Sequence, residues 1–206
     1  MTRTLILGGA RSGKSTRAEQ LLADHRDVLY VATSGTRGGD PEWARRVALH
    51  RERRPAHWRT SETCDLERVL ADDTDPAPVL IDCLALWLST VMDEADAWNE
   101  ESWQSRGEPA VRRRCAELAE AWRLTGRRVI AVSNEVGMGV VPATVAGRRF
   151  RDCLGLLNMA VAEASDRVLL VVAGQVLTIK PDAGAAAGGP AGAATVQAGP
   201  AATRTA

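Results

Sequence analysis

The sequence predicts an α/β fold, a mostly parallel sheet flanked by helices and closed by a C-terminal β-hairpin. Short apolar runs alternate along the chain with segments of helical period, the pattern of βαβ units. A glycine-rich phosphate-binding signature joins the first apolar run to the first helical one. The last two apolar runs are separated only by Ala173-Gly174, which leaves room for a tight turn and little else.

Thr4 to Leu7 is an apolar run that ends in glycines, as a buried strand does before a turn. Ala18, Leu21 and Leu22 then recur at helical spacing between Ser15 and Ala23. VLYVA, from Val28 to Ala32, is the second strand, and a polar, glycine-rich loop runs from Thr33 to Asp40. Pro41 suits a first helical turn, and the helix it opens is expected to reach Arg53. Val79 to Ile81 is the third strand, and Leu84, Leu86, Trp87, Leu88 and Val91 form a helix behind it. Pro109 to Leu124 is a long amphipathic helix that stops before Gly126. Val129 to Val132 is a strand and Thr144 to Ala164 a helix; Val168 to Val172 and Val176 to Ile179 complete the hairpin.

The domain therefore spans residues 1–180 of the 206. Beyond it, Pro181 to Ala206 is nearly all Ala, Gly, Pro and Thr, too poor in bulky apolar groups to offset the entropy of ordering; a disordered tail is expected. Basic and acidic side chains balance at 26 each, which argues against a nucleic-acid partner with an extended footprint. The opening MTRTLILGGARSGKS lacks the apolar core of a signal peptide, and no apolar run is long enough to span a bilayer. A cytoplasmic protein is expected. Cys64, Cys83, Cys115 and Cys153 show no metal-ligand spacing and read as reduced thiols. Trp43, Trp58 and Trp87 are expected to pack rather than to stack on ligand.

Gly8-Gly9-Ala10-Arg11-Ser12-Gly13-Lys14-Ser15 fits G-x-x-x-x-G-K-[ST] at every fixed position. Glycines let the backbone aim several N–H groups at one phosphate, and the following helix adds its positive dipole end. Lys14 brings a charge to the outer phosphates, and the Ser15 hydroxyl suits Mg²⁺. A magnesium-bound triphosphate also calls for a carboxylate at a buried strand end, which Asp82 supplies; an N-cap of the next helix is its other reading.

His50 lies in ALHRERRP. It reads either as an exposed histidine on a charged helix or as a nucleophile toward phosphorus, with Arg46 and Arg54 holding the triphosphate. The loop SNEVGMG, from Ser133 to Gly139, sits at a strand end where ligands bind in open α/β sheets. Arg149-Phe150-Arg151-Asp152, with Asn158, suits a solvated helix face or a ligand contact equally. These residues leave open a single-activity small-molecule kinase and a nucleotide-driven switch or assembly ATPase.

Taken together, GGARSGKS, DPEWARRVALHRERRPAHWRT, LIDCLALWLS, VSNEVGMGVVP and RRFRDCLGLLN, in that order, resemble the bifunctional adenosylcobinamide kinase / adenosylcobinamide-phosphate guanylyltransferase family of cobalamin biosynthesis. The resemblance covers Thr4 to Lys180 and implies a RecA-like P-loop NTPase fold. It implies two reactions: phosphorylation of adenosylcobinamide by ATP or GTP, and transfer of GMP from GTP, through an enzyme histidine, to adenosylcobinamide phosphate. That histidine falls on His50, because Arg54-Pro55 and His57-Trp58-Arg59-Thr60 fix the register. Asp82 inherits the metal-side role, and Thr16, Thr33, Ser34 and Glu62 join the nucleotide-binding set. A homotrimer with active sites near subunit contacts is implied as well.

Overall fold

A computed structural model describes residues 2–33, 45, 55–182 and 196–197. Among them, eight strands form one sheet in the order β3-β2-β4-β5-β1-β6-β7-β8. These are β1 (Arg3–Gly8), β2 (Leu29–Ala32), β3 (Arg59–Glu62), β4 (Val79–Asp82), β5 (Val129–Asn134), β6 (Arg167–Val172), β7 (Gln175–Lys180) and β8 (Val196–Gln197). From β3 to β6 every pairing is parallel; β7 and β8 add on antiparallel. The central strands are buried along nearly their whole length, as parallel strands covered on both faces must be.

The helices are α1 (Lys14–Gln20), α2 (Leu66–Ala71), α3 (Leu84–Glu94), the short α4 (Glu100–Ser102), α5 (Glu108–Leu124) and α6 (Val145–Ala164). A π-helical turn, Trp103–Gly107, links α4 to α5. The connection from β1 to β2 crosses the sheet in one direction, whereas those from β3 to β4, β4 to β5 and β5 to β6 cross in the other. Right-handed crossovers then place α1 on one face and α2, α3, α5 and α6 on the opposite one. Packing follows that division: α5 contacts α2, α3 and α6, while α1 lies on β1, β4 and β5.

The expected strands and helices recur within three residues at each end wherever they fall among the described residues. Thr144 caps α6 by accepting a hydrogen bond from Gly147 N at 3.1 Å. The Ala173-Gly174 turn has positive φ at both positions (50° and 76°), the geometry that matches the twist of a two-residue hairpin. Trp87 and Trp122 are wholly buried and Trp58 nearly so, in keeping with a packing role; Trp43 lies outside the described residues. Two of the three buried indole N–H groups find partners, Trp87 donating to Cys64 O at 2.9 Å and Trp122 to Ser165 Oγ at 3.0 Å, whereas that of Trp58 is buried without one among the described residues.

β3 and α2 have no counterpart in the periodicity, nor do the short α4, the π-helical turn and β8. β3 is the polar segment RTSE, which has no alternation to detect. It is held by backbone pairing to β2 and by Arg59, which reaches Asp27 and Asp75, both at 2.9 Å. α2 is too short for a period to emerge, but Asp65 caps it and Leu66 and Leu70 are buried. The helix expected from Pro41 to Arg53 lies outside the described residues except for Arg45, which is helical and exposed. Of the tail expected to be disordered, Pro181, Asp182 and the two residues of β8 are described; the rest lies outside.

Arg3 and Asp166 fasten the start of β1 to the start of β6. Arg3 donates from its backbone N (2.8 Å), Nε (3.1 Å) and a terminal guanidinium nitrogen (2.9 Å) to the one carboxylate. The Arg3 side chain holds the Asp166 carboxyl below the usual aspartate range. A depressed pKa adds stability that is present above the unfolded value and lost as pH falls through the folded one. Asp166→Asn is therefore expected to cost about 1 kcal/mol at neutral pH, since the pair is partly exposed. The difference from wild type should narrow below pH ~4, as urea unfolding across that range would reveal.

Candidate functional site

Because β1, β4 and β5 are parallel, their carboxyl ends meet at one edge of the sheet. Gly8 pairs with Asn134 and Asp82 with Val132, so Asp82 ends level with Ile6, two positions behind Gly8. Two strand spacings, about 10 Å, separate β1 from β4. Chains leave β1 and β5 toward opposite faces of the sheet, the topological switch at which open α/β sheets bind ligands. There the loop after β5 meets the phosphate loop, Glu135 N donating to Gly8 O at 3.1 Å.

The phosphate loop runs from Gly8 to Ser15 between β1 and α1. At Gly8 the packing leaves no room for a side chain: a Cβ would lie 2.5 Å from Ser12 Oγ and 2.5 Å from Val171 O. Gly13 has φ +97° and occupies the N-cap position of α1, a conformation that L side chains rarely adopt. Arg11 also has positive φ (56°), a strain of roughly 1 kcal/mol of the kind found at ligand clamps. Lys14 Nζ donates to Gly9 O at 3.0 Å, which holds its charge at the mouth of the loop. The first turn of α1 carries no acidic residue to oppose an anion. Ser12 Oγ is buried and has no hydrogen-bond partner, a polar group left for a ligand to satisfy. Thr16 is exposed on α1.

The loop is braced from behind by the β6–β7 turn, in which Gly174 N donates to Ser12 O at 2.9 Å. No pattern in the sequence links those residues.

Asp82 ends β4 and accepts a hydrogen bond from the Tyr30 hydroxyl at 2.8 Å. It is not the N-cap of α3; Cys83 is, after a cis Asp82–Cys83 peptide bond. Burial, helped by the nearby Asp82 charge and opposed by Lys14, pushes the Cys83 thiol up to about 12. Asp82, at the end of β4, and Lys14, at the start of α1, lie at the same edge of the sheet. Burial likewise raises the thiols of Cys115 (about 12) and Cys153 (about 11), so all three are poor nucleophiles.

Thr33 is fully buried. Its hydroxyl donates to Cys83 O at 2.7 Å and accepts from Cys83 N at 2.9 Å, which binds the end of β2 to the turn after Asp82. That hydroxyl is occupied within the protein. Glu62 is exposed at the end of β3 and level with Asp82 through Ala32, so it shares the same edge. Ser34, Arg46, His50 and Arg54 lie outside the described residues.

Asn158 and Arg149 are buried and hydrogen-bonded within the protein, not on a solvated helix face. Asn158 is buried, accepts from Ser133 Oγ at 2.6 Å and donates to Asn134 O at 3.0 Å; it fixes the end of β5. Arg149 is buried over the Trp103 ring, bonded to Ala97 O and paired with Glu100. A groove of about 910 Å³ elsewhere, lined by Asp65, Glu67, Glu94, Glu117 and Glu120 beside Arg114, has the wrong charge for a triphosphate.

A strand–glycine loop–helix unit with a carboxylate two strands away defines a P-loop NTPase, and one solved structure bears out that fold class. A type III secretion ATPase from pathogenic bacteria superposes with a TM-score of 0.53 at 14% identity, over 82% of this chain and 51% of its own, so this chain spans about half of it. The chain belongs to the cobinamide kinase / cobinamide phosphate guanyltransferase family, whose model matches residues 4–179. It is similar to the bifunctional adenosylcobalamin biosynthesis protein CobP of Pseudomonas aeruginosa, with 43% identity over 86% of this chain and 97% of that one. The corresponding CobU proteins of Escherichia coli and Salmonella typhimurium are 38% and 39% identical, each over 85% of this chain and 98% of their own.

Gly8→Ala is expected to weaken nucleotide binding at least tenfold and to cost about 1–3 kcal/mol, because the backbone of Val171 cannot yield to the added methyl. Calorimetric titration with a nucleoside triphosphate, alongside thermal melting, measures both.

Proposed function

We propose that this chain carries out both activities in its family's name: it phosphorylates adenosylcobinamide and then transfers GMP to adenosylcobinamide phosphate. The observation that carries the reading is the match over residues 4–179, which takes in the phosphate loop, the His50 segment and Asp82. The relatives matched over nearly their full length are bifunctional by name.

In the kinase step the phosphate loop, Gly8 to Ser15, holds the triphosphate of ATP or GTP through its backbone N–H groups. Lys14 offsets the charge that builds as the γ-phosphoryl group passes to the aminopropanol hydroxyl of adenosylcobinamide. Ser15 and Asp82 would hold Mg²⁺; both offer the hard oxygen donors that ion takes. Bound there, Mg²⁺ neutralises phosphate charge. Thr16 and Glu62 flank the nucleotide, and the Thr33 hydroxyl serves by fixing Cys83 at the strand end.

In the second step the His50 imidazole attacks the α-phosphorus of GTP, forms a P–N bond and expels pyrophosphate. The phosphate of adenosylcobinamide phosphate then takes the GMP, which regenerates the imidazole and yields adenosylcobinamide-GDP. Arg46 and Arg54 stabilise the leaving pyrophosphate, and Ser34 completes the nucleotide contacts. A cytoplasmic homotrimer is the form we expect. No helix among the described residues is long and apolar enough to cross a membrane, and sedimentation would test the assembly.

Incubation with GTP should add the mass of one GMP to the intact protein, as acid-labile and base-stable label, and His50→Ala should abolish it. A wild type that gains no mass, or a His50→Ala variant that keeps the adduct, rejects the covalent route. Lys14→Ala should lower adenosylcobinamide phosphorylation by on the order of 100-fold or more. Near-normal turnover in that variant would move the kinase site away from the phosphate loop.

A further inference from the structure

We propose that Tyr30 is a positioning residue for Asp82, fixing how that carboxylate meets the nucleotide-bound metal. The inference rests on the metal-side role of Asp82 given above. In the parallel ladder Tyr30 pairs with Leu80 and Ala32 with Asp82. Side chains alternate along a strand, so Tyr30, Ala32, Leu80 and Asp82 share one face of the sheet. The tyrosine lies one diagonal step behind the carboxylate, a span that a phenol bridges. Ala32, directly beside Asp82, presents only a methyl and leaves the path open.

Tyr30 is 2% exposed, and its hydroxyl reaches Asp82 Oδ2 at 2.8 Å. A phenylalanine would fill the same core volume, so packing alone gives no reason for the hydroxyl. The O–H donates to Asp82 Oδ2, and this bond sets the plane and direction in which the carboxylate faces a cation. Mg²⁺ demands near-octahedral geometry, and an orienting donor behind a carboxylate ligand sets that geometry. The backbone is secured from the same strand: the Thr33 hydroxyl at the end of β2 grips Cys83 N and O, one residue past Asp82. β2 thus fixes Asp82 twice, through its side chain and through its backbone.

The test is Mn²⁺ binding, read by electron paramagnetic resonance, in the complex with a non-hydrolysable ATP or GTP analogue. Wild type, Tyr30→Phe and Asp82→Asn are compared, and analogue binding is measured separately in EDTA. Tyr30→Phe should weaken Mn²⁺ binding by on the order of 10-fold or more, the usual scale for an outer-shell partner, with binding in EDTA unchanged. Asp82→Asn should weaken it at least as much. If Tyr30→Phe binds Mn²⁺ like wild type while Asp82→Asn does not, the positioning role is wrong and the metal role of Asp82 stands. If Asp82→Asn binds Mn²⁺ normally, the metal role falls and the positioning role with it.

Should Tyr30→Phe fail to fold, a second route remains, because Tyr30 is the chain's one tyrosine. Biosynthetic 3-fluorotyrosine then labels that position alone. Its ¹⁹F resonance should move when Mg²⁺ is added to the analogue complex of wild type, and stay still in Asp82→Asn. A wild-type resonance that ignores Mg²⁺ overturns the proposal.

Discussion

The parallel alignment of β4, β5 and β1 is the constraint on which the rest of the molecule depends. Parallel strands end at a common edge, so the glycines after β1, the carboxylate after β4 and the loop after β5 meet without any long-range design. The two helix layers follow from the same alignment, since right-handed crossovers that run in opposite directions must lie on opposite faces. The ligand edge is where those directions diverge.

Close packing beneath the phosphate loop is the second constraint. Gly8 admits no Cβ because Ser12 Oγ and Val171 O already occupy that space. Val171 lies on β6, and the turn after that strand donates from Gly174 to Ser12 O. The antiparallel hairpin is therefore more than a sheet terminus. It packs against the loop from Gly8 to Ser15, which ties the loop's shape to strands more than 150 residues away in sequence.

β2 plays a corresponding part for the carboxylate. Its tyrosine, and the threonine just past its end, attach to Asp82 and to the residue after it, so the position of that carboxylate depends on a neighbouring strand that carries no acidic residue. Buried Asn158 does the same for β5, holding Ser133 and Asn134 from α6. At each of these strand ends, a polar side chain from another element satisfies backbone or carboxylate groups that burial would otherwise leave exposed to an apolar interior.

The sequence by itself determined the α/β class, most of the strands and helices, the hairpin and the phosphate loop. Each is written in local spacing: apolar period, glycine placement, or a fixed run of eight residues. The spaced motifs from Gly8 to Asn158 likewise sufficed for the family. β3 and α2 were not legible, because RTSE has no alternation and six residues hold too little helical period to read. Asp82 as a strand-end carboxylate was legible, but its hydrogen bond to Tyr30 was not. Nor were the occupied hydroxyl of Thr33, the inward roles of Asn158 and Arg149, or the brace from Gly174. Those depend on which strands lie side by side and in what register. Only the tertiary structure decides that, because hydrogen bonds between strands join residues whose separation in sequence carries no signal.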